Sequence, residues 1–192
     1  MDRISGEKNF LKEVLLPRAP SFQELSKRYM RMNEVIHKRA ETARQNFLKG
    51  YGCAQSVLLA YADLTGLDEK TLAKLGSSFG GGMGRLREVC GGVSGAFAVL
   101  GLLCGYDDPG DTAGKSRHYA DIRELARRFT ERSRGGSIVC REILQNAGLS
   151  GEKGGEAEAR TAEYYEKRPC PDLVYLAAEV LGEMLWEKGI LK

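Results

Sequence analysis

The chain has 192 residues, of which 42% are hydrophobic and 29% are charged. This composition is typical of one folded domain and excludes a mainly disordered protein. The net charge is only +3 and the basic residues are spread along the chain, so nucleic acid is not an expected partner. With no long apolar stretch and no secretory signal at the start, we expect no membrane insertion and a cytoplasmic location.

Helical patterns cover almost the whole chain, and no alternating run of β-branched residues indicates a sheet. A short helix is predicted over 8–16, ended by two prolines. Ser21 and Glu24 then form a capping-box pattern, which predicts that a long amphipathic helix begins there. We interpret residues 1–48 as an N-terminal helical extension, and its exposed face suggests a homodimer.

Residues 49–192 are predicted to form a helical domain that carries all five cysteines. Its helices are predicted from Cys53 to about Leu64, from Asp68 to about Leu75, over the uncharged stretch Val89–Gly105, from Tyr119 to Arg132, from Ile138 to Asn146 and from Pro171 to Lys188, with a mobile connection over 148–156. The uncharged stretch is apolar all round and rich in glycine and alanine, so it is expected at the centre. The predicted fold class is therefore all-α, a helical bundle around that helix.

The positions of the cysteines along these helices favour redox or metal chemistry. No Cys-x-x-Cys pair is present, so spacing alone predicts neither a thioredoxin-type site nor a zinc ribbon. Four cysteines lie at predicted helix starts: Cys53, Cys90, Cys140 and Cys170. A helix N-terminus carries partial positive charge and unpaired N–H groups, and both stabilise the thiolate that attacks disulfides or binds metals. Cys104 lies at a helix C-terminus and is assigned to packing.

The segments Gly50–Val57, Phe79–Arg85, Cys90–Ala96, Cys140–Leu144 and Cys170–Pro171 resemble a family of redox-active proteins named for its C-GCAxxG-C-C cysteine pattern. The resemblance implies that the four family cysteines correspond to Cys53, Cys90, Cys140 and Cys170, and it implies redox activity without naming a reaction. This chain has Gly92 where the family pattern has alanine. Similar cysteine segments are associated with split-Soret cytochromes, which also hold an iron–sulfur centre.

Three functions stay open on this basis. In the first, the four thiolates carry out thiol–disulfide or electron-transfer chemistry with an unknown redox partner, as in a thiol-dependent oxidoreductase. In the second, the same four cysteines bind an iron–sulfur cluster or zinc, for which four thiolates are a full ligand set. In the third, the cysteines are inert and the chain is a non-catalytic helical interaction module.

The glycine-rich loop offers a further candidate site through Gly81, Gly82, Gly84 and Arg85. Its glycines could cradle a phosphate group, but the loop lacks the Lys-Ser/Thr ending of a P-loop and no strand precedes it. A packing or turn loop is therefore the favoured interpretation. An alternative is that the loop lines the entrance to the cysteine site, with Arg85 and Arg87 available to an anionic substrate.

Overall fold

The computed structural model describes residues 19–192, and within that range the backbone forms nine helices and no sheet. In chain order they are α1 (Phe22–Leu48), α2 (Cys53–Ala60), α3 (Ala62–Thr65), α4 (Glu69–Ser77), α5 (Gly91–Cys104), α6 (Thr112–Arg132), α7 (Cys140–Asn146), α8 (Ala162–Lys167) and α9 (Cys170–Glu187). The all-α prediction is confirmed. The helix predicted over 8–16 lies outside the described residues. None of the nine helices has both the length and the apolar character that a bilayer-spanning segment needs.

Helix α1 begins with the predicted capping box. The Ser21 backbone N–H donates to Glu24 Oε2 over 2.6 Å, and the Glu24 N–H donates to Ser21 Oγ over 3.3 Å, so two N–H groups of the first turn are paired. The chain divides into two compact units, and the boundary between them lies within this helix, between Asn33 and Glu34. In the first unit the side chains of Phe22, Leu25, Tyr29 and Met30 are exposed. Homodimerisation through this helix stays a prediction.

The core of the second unit depends on close packing of α5 against α2, α6 and α9. The first turns of α5 are almost entirely buried, as its uncharged, small-residue sequence requires. Helix α1 adds one buried stripe to this unit, and α9 adds the largest set of apolar side chains, including Leu173, Val174 and Leu181. Full burial of such a side chain contributes about 2 kcal/mol each. Helices α2, α5 and α9 thus pack against one another within the second unit.

Two helices depart from their predicted bounds by more than two residues. The helix predicted from Cys53 to Leu64 is interrupted at Tyr61, whose buried hydroxyl donates to the Ala178 carbonyl oxygen of α9 over 2.7 Å. Helix α6 begins at Thr112 and not at Tyr119, because the Asp111 side chain accepts hydrogen bonds from the first turn and caps the helix.

Helix α8 is not among the helices predicted from the sequence, and it lies beyond the connection predicted over 148–156. The Thr161 side chain accepts a hydrogen bond from the Tyr164 backbone N–H over 3.2 Å and so caps this single turn. The helix has no apolar stripe of the usual spacing, so only the cap marks it in the sequence. Its position decides which side chains stand beside the cysteines.

Candidate functional site

Each of the four predicted cysteines lies at the start of a helix. Cys53, Cys140 and Cys170 are the first residues of α2, α7 and α9, and Cys90 directly precedes α5. At these positions the helix dipoles and unpaired N–H groups favour negative charge on sulfur. Cys104 is the last residue of α5, where the dipole has the opposite sign.

The four helix starts meet around one small cavity with a volume of about 50 Å³. All four predicted cysteines line it, whereas Cys104 does not. All five cysteines are free thiols. Of the glycine-rich loop, Gly81 and Gly82 line the cavity, but Gly84 and Arg85 do not. Residues up to 117 positions apart in the chain, Cys53 and Cys170, therefore share one pocket.

A short antiparallel backbone contact aligns two of the cysteines. Val89 and Val139 form an isolated β-bridge, next to which the Cys90 N–H donates to the Ile138 carbonyl oxygen over 2.7 Å and the Cys140 N–H donates to the Glu88 carbonyl oxygen over 2.6 Å. Because each cysteine follows a paired valine by one residue, the two cysteines emerge on the same face of the bridge. The bridge thus sets the starts of α5 and α7 side by side.

The glycine-rich loop has a left-handed backbone. Every residue from Gly81 to Arg85 has a positive φ between 58° and 69°, and Arg87 has a φ of 60°. For Met83, Arg85 and Arg87 this conformation costs about 1–2 kcal/mol each, since they carry a Cβ. The loop brings Gly82 so close to α7 that a Cβ built there would lie 2.7 Å from the Cys140 Cβ. Glycine is therefore required at this point of the cavity wall.

Arg85 holds a neighbouring segment in place and does not line the cavity. Its Nε donates to the Gly154 carbonyl oxygen over 2.8 Å, and its Nη1 donates to Glu158 over 3.1 Å. On the same segment Lys153 pairs with Glu88 over 2.7 Å. The connection over 148–156 is thus tied to the glycine-rich loop by charged contacts.

Three arginines line the cavity, and no acidic side chain does. Arg87 is only 5% exposed, and its Nε donates to the Glu152 carbonyl oxygen over 3.0 Å. The guanidinium groups of Arg160 and Arg168 each lie 4.7 Å from the ring centroid of Tyr164, at cation–π distance. The sequence analysis singled out only Arg87 among these residues. For Arg168, the one local signal in the sequence is its position two residues before Cys170.

Cys53 and Cys170 form a hydrogen-bonded pair with opposite pKa shifts. The Cys53 thiol, as the hydrogen-bond donor, lowers the pKa of Cys170, and the nearby guanidinium groups, led by Arg168, lower it further against the effect of burial. The hydrogen bond to Cys170 and then burial raise the pKa of Cys53 well above its ordinary value. Of this pair, Cys170 is therefore the thiol that loses its proton first.

The other two cavity cysteines keep their protons at neutral pH. Burial, and then the electrostatic interaction with the thiol groups of Cys170 and Cys140 as they ionise, raise the pKa of Cys90 to about 12. Burial and the charge on Cys170 also raise the pKa of Cys140, while Arg87 opposes that rise. Cys170 is therefore the cavity cysteine that ionises most readily, and it faces three arginines.

The four cysteines suit a metal in type and number but not in placement. Four thiolates are a complete ligand set for zinc or an iron–sulfur cluster. Within residues 19–192, however, no three His, Cys, Asp or Glu side chains are grouped so that they could hold a metal ion. The arrangement described here therefore does not fit a metal or cluster, and we derive no chemistry through one.

Two adjacent glycines of α5 provide a test of the cavity packing. A Cβ at Gly91 would lie 2.8 Å from the Phe79 carbonyl oxygen and 2.9 Å from the Cys53 Cβ, whereas a Cβ at Gly92 would lie 3.4 Å from the Ala177 Cβ. We expect Gly91→Ala to lower the free energy of unfolding by about 1–3 kcal/mol, through overpacking. Gly92→Ala, the residue of the family pattern, should be neutral or stabilising by up to about 1 kcal/mol. Urea unfolding of both variants measures this difference, and equal stabilities would contradict the described packing.

Comparison with known proteins gives one match. A family model described as "Putative redox-active protein (C_GCAxxG_C_C)" matches residues 51–184, a span that contains all four cavity cysteines. No curated protein and no solved structure matches the chain.

Proposed function

Because the chain belongs to the C_GCAxxG_C_C family of redox-active proteins, we propose that it is a thiol-dependent oxidoreductase in which Cys170 attacks and Cys53 resolves. The observation that carries the proposal is that Cys170 and Cys53 line one small cavity together with three arginines, with the pKa of Cys170 lowered and that of Cys53 raised. A thiolate held beside a second thiol is the arrangement that dithiol chemistry needs.

The reaction proceeds in two displacements. The Cys170 thiolate attacks the electrophilic centre of an oxidised substrate, a bond to sulfur forms, and the leaving group departs with the proton of Cys53. The Cys53 thiolate then attacks the Cys170 sulfur, so that a disulfide forms and the substrate leaves with the bonding electron pair. The two thiols have lost two electrons and the substrate has gained them.

The surrounding residues have distinct roles in this scheme. Arg87, Arg160 and Arg168 stabilise the attacking thiolate, and the two thiols of Cys90 and Cys140 stay protonated beside it. An external dithiol must reduce the disulfide after each cycle. The proposal therefore places the protein in a reducing compartment such as the cytoplasm.

Disulfide mapping tests this function. Reduced protein, purified without oxygen and treated with one equivalent of diamide, is expected to lose two thiols and to yield a Cys53–Cys170 disulfide in peptide mass spectrometry. Cys53→Ser and Cys170→Ser should each abolish that disulfide, while the matched control Cys104→Ser should leave it unchanged. Formation of no disulfide, or of randomly paired ones, would contradict the proposal.

Metal analysis of the same preparation separates the dithiol from the cluster alternative. We expect no stoichiometric iron, zinc or acid-labile sulfide, because within residues 19–192 no three potential ligands are grouped so that they could hold a metal ion. Stoichiometric iron and sulfide, lost in Cys170→Ser, would replace the dithiol proposal with cluster binding.

A further inference from the structure

The cavity is too small for a bulky substrate. Its volume is about 50 Å³, enough for about four water molecules at the minimum volume that each requires. A larger groove of about 610 Å³ lies next to it and shares Ile143, Arg168 and Leu173 with it. A peptide-sized disulfide would have to occupy this groove. Whatever meets the Cys170 sulfur inside the cavity must be compact.

The charges around the cavity do not balance without a further anion. Three guanidinium groups line it, against no lining carboxylate and four cysteines, of which only Cys170 has a lowered pKa. Glu158, which does not line the cavity, forms a salt bridge with Arg168 over 2.8 Å. The same carboxylate also forms a salt bridge with Arg85. Arg87 and Arg160 have no carboxylate partner among residues 19–192. A charge as deeply buried as Arg87 is normally paired, so the reduced site has a surplus of positive charge.

The donor groups also match a particular ligand shape. Guanidinium groups present N–H donors in a planar fork that binds carboxylate, phosphate and related oxyanions through paired hydrogen bonds. The N–H groups at the first turns of α2, α5 and α9 add further anion-stabilising donors at the same place. The adjacent groove differs in this respect, since it contains Glu166 and Asp172 as well as basic residues.

We infer that the arginine-lined cavity is a binding site for a compact, multiply charged inorganic oxyanion beside the Cys170 sulfur. The inference rests on the proposed function and deepens it, because it names the class of substrate that the dithiol meets. A divalent tetrahedral anion would nearly balance the three arginines and the thiolate, and it suits the cavity volume. Arg87 and Arg160 are then substrate-binding residues.

Protection of Cys170 from alkylation tests the inference with inert probes. Iodoacetamide is added to the reduced protein at neutral pH with sodium sulfate, sodium phosphate, or sodium chloride at equal ionic strength, and the modified Cys170 peptide is followed by mass spectrometry. Sulfate or phosphate is expected to slow the modification about tenfold relative to chloride once the site is mostly occupied. Equal rates in all three salts would overturn the inference.

Arginine variants locate the binding site. Arg160→Gln, at an exposed residue whose replacement should not impair folding, is expected to weaken protection about tenfold, and Arg87→Gln at least as much. Arg134→Gln is the matched control, since Arg134 lies in the adjacent groove and not in the cavity. Comparing each variant with and without the anion cancels any change in thiol reactivity. Protection that survives Arg160→Gln and Arg87→Gln but is lost in Arg134→Gln would also overturn the inference.

Two further outcomes keep this test separate from the test of the proposed function. If glutathione disulfide reacts rapidly while neither oxyanion protects, the substrate class is wrong but the dithiol function stands. Disulfide mapping with diamide involves no oxyanion, so failure to form the Cys53–Cys170 disulfide removes the function itself.

Discussion

At neutral pH, iodoacetamide is expected to modify Cys170 about tenfold to a hundredfold faster than an ordinary protein thiol, which is only a few per cent ionised under these conditions. The physical reason is the hydrogen bond from Cys53 together with the positive charge of Arg168, Arg160 and Arg87, which lower the pKa of Cys170. Cys90 should react last, because it is buried and its pKa is raised to about 12.

The rate at which iodoacetamide modifies Cys170 is expected to increase with pH. The thiolate is the reactive form, so the rate rises with pH and reaches half of its maximum at the pKa of Cys170, which should fall below the ordinary value of 9.0. Cys53→Ala and Arg168→Gln should each move the midpoint towards higher pH, since each removes a group that stabilises the thiolate. Cys104, whose pKa is raised by burial, is the internal control. A midpoint at or above 9.0 for Cys170 would contradict the assignment of the thiolate.

Replacement of Gly95 by alanine is expected to be strongly destabilising, because α5 approaches the backbone of α2 closely at this position. A Cβ at this position would lie 2.7 Å from the Ala54 carbonyl oxygen, 3.0 Å from the Ala54 Cα and 3.1 Å from the Val57 Cβ. The nearest atoms belong to backbone, so α2 would have to move as a unit. We expect a loss of about 1–3 kcal/mol in the free energy of unfolding. Because Ala54 follows Cys53, slower alkylation of Cys170 should accompany it.

Gly101→Ala is the matched control on the same helix. The nearest atom to a Cβ there is His118 Nε2 at 3.9 Å, so alanine fits and its better helix propensity should add up to about 1 kcal/mol. Urea unfolding curves of the two variants and the parent protein measure the difference. If Gly95→Ala were as stable as Gly101→Ala, the close approach of α2 and α5 would be disproved.

Local sequence signals were sufficient for part of the site. Cap residues, proline and glycine breaks, and apolar spacing predicted that Cys53, Cys90, Cys140 and Cys170 stand at helix starts, because helix boundaries depend on neighbouring residues in the chain. The same reasoning set Cys104 apart, at the opposite end of α5. Short-range patterns were weaker where a distant contact decides the backbone, as at Tyr61, whose hydroxyl binds a carbonyl of α9.

The sequence by itself therefore determined the all-α class and the positions of the four cysteines at helix starts. Only the tertiary structure decided that these starts meet at one cavity, that the Val89–Val139 bridge aligns two of them, and that Arg160 and Arg168 complete its wall. The physical reason is that helix formation follows hydrogen bonds and side-chain preferences within a few residues. The meeting of helix ends depends on packing between segments far apart in the chain, such as the glycine-mediated contact of α2 with α5.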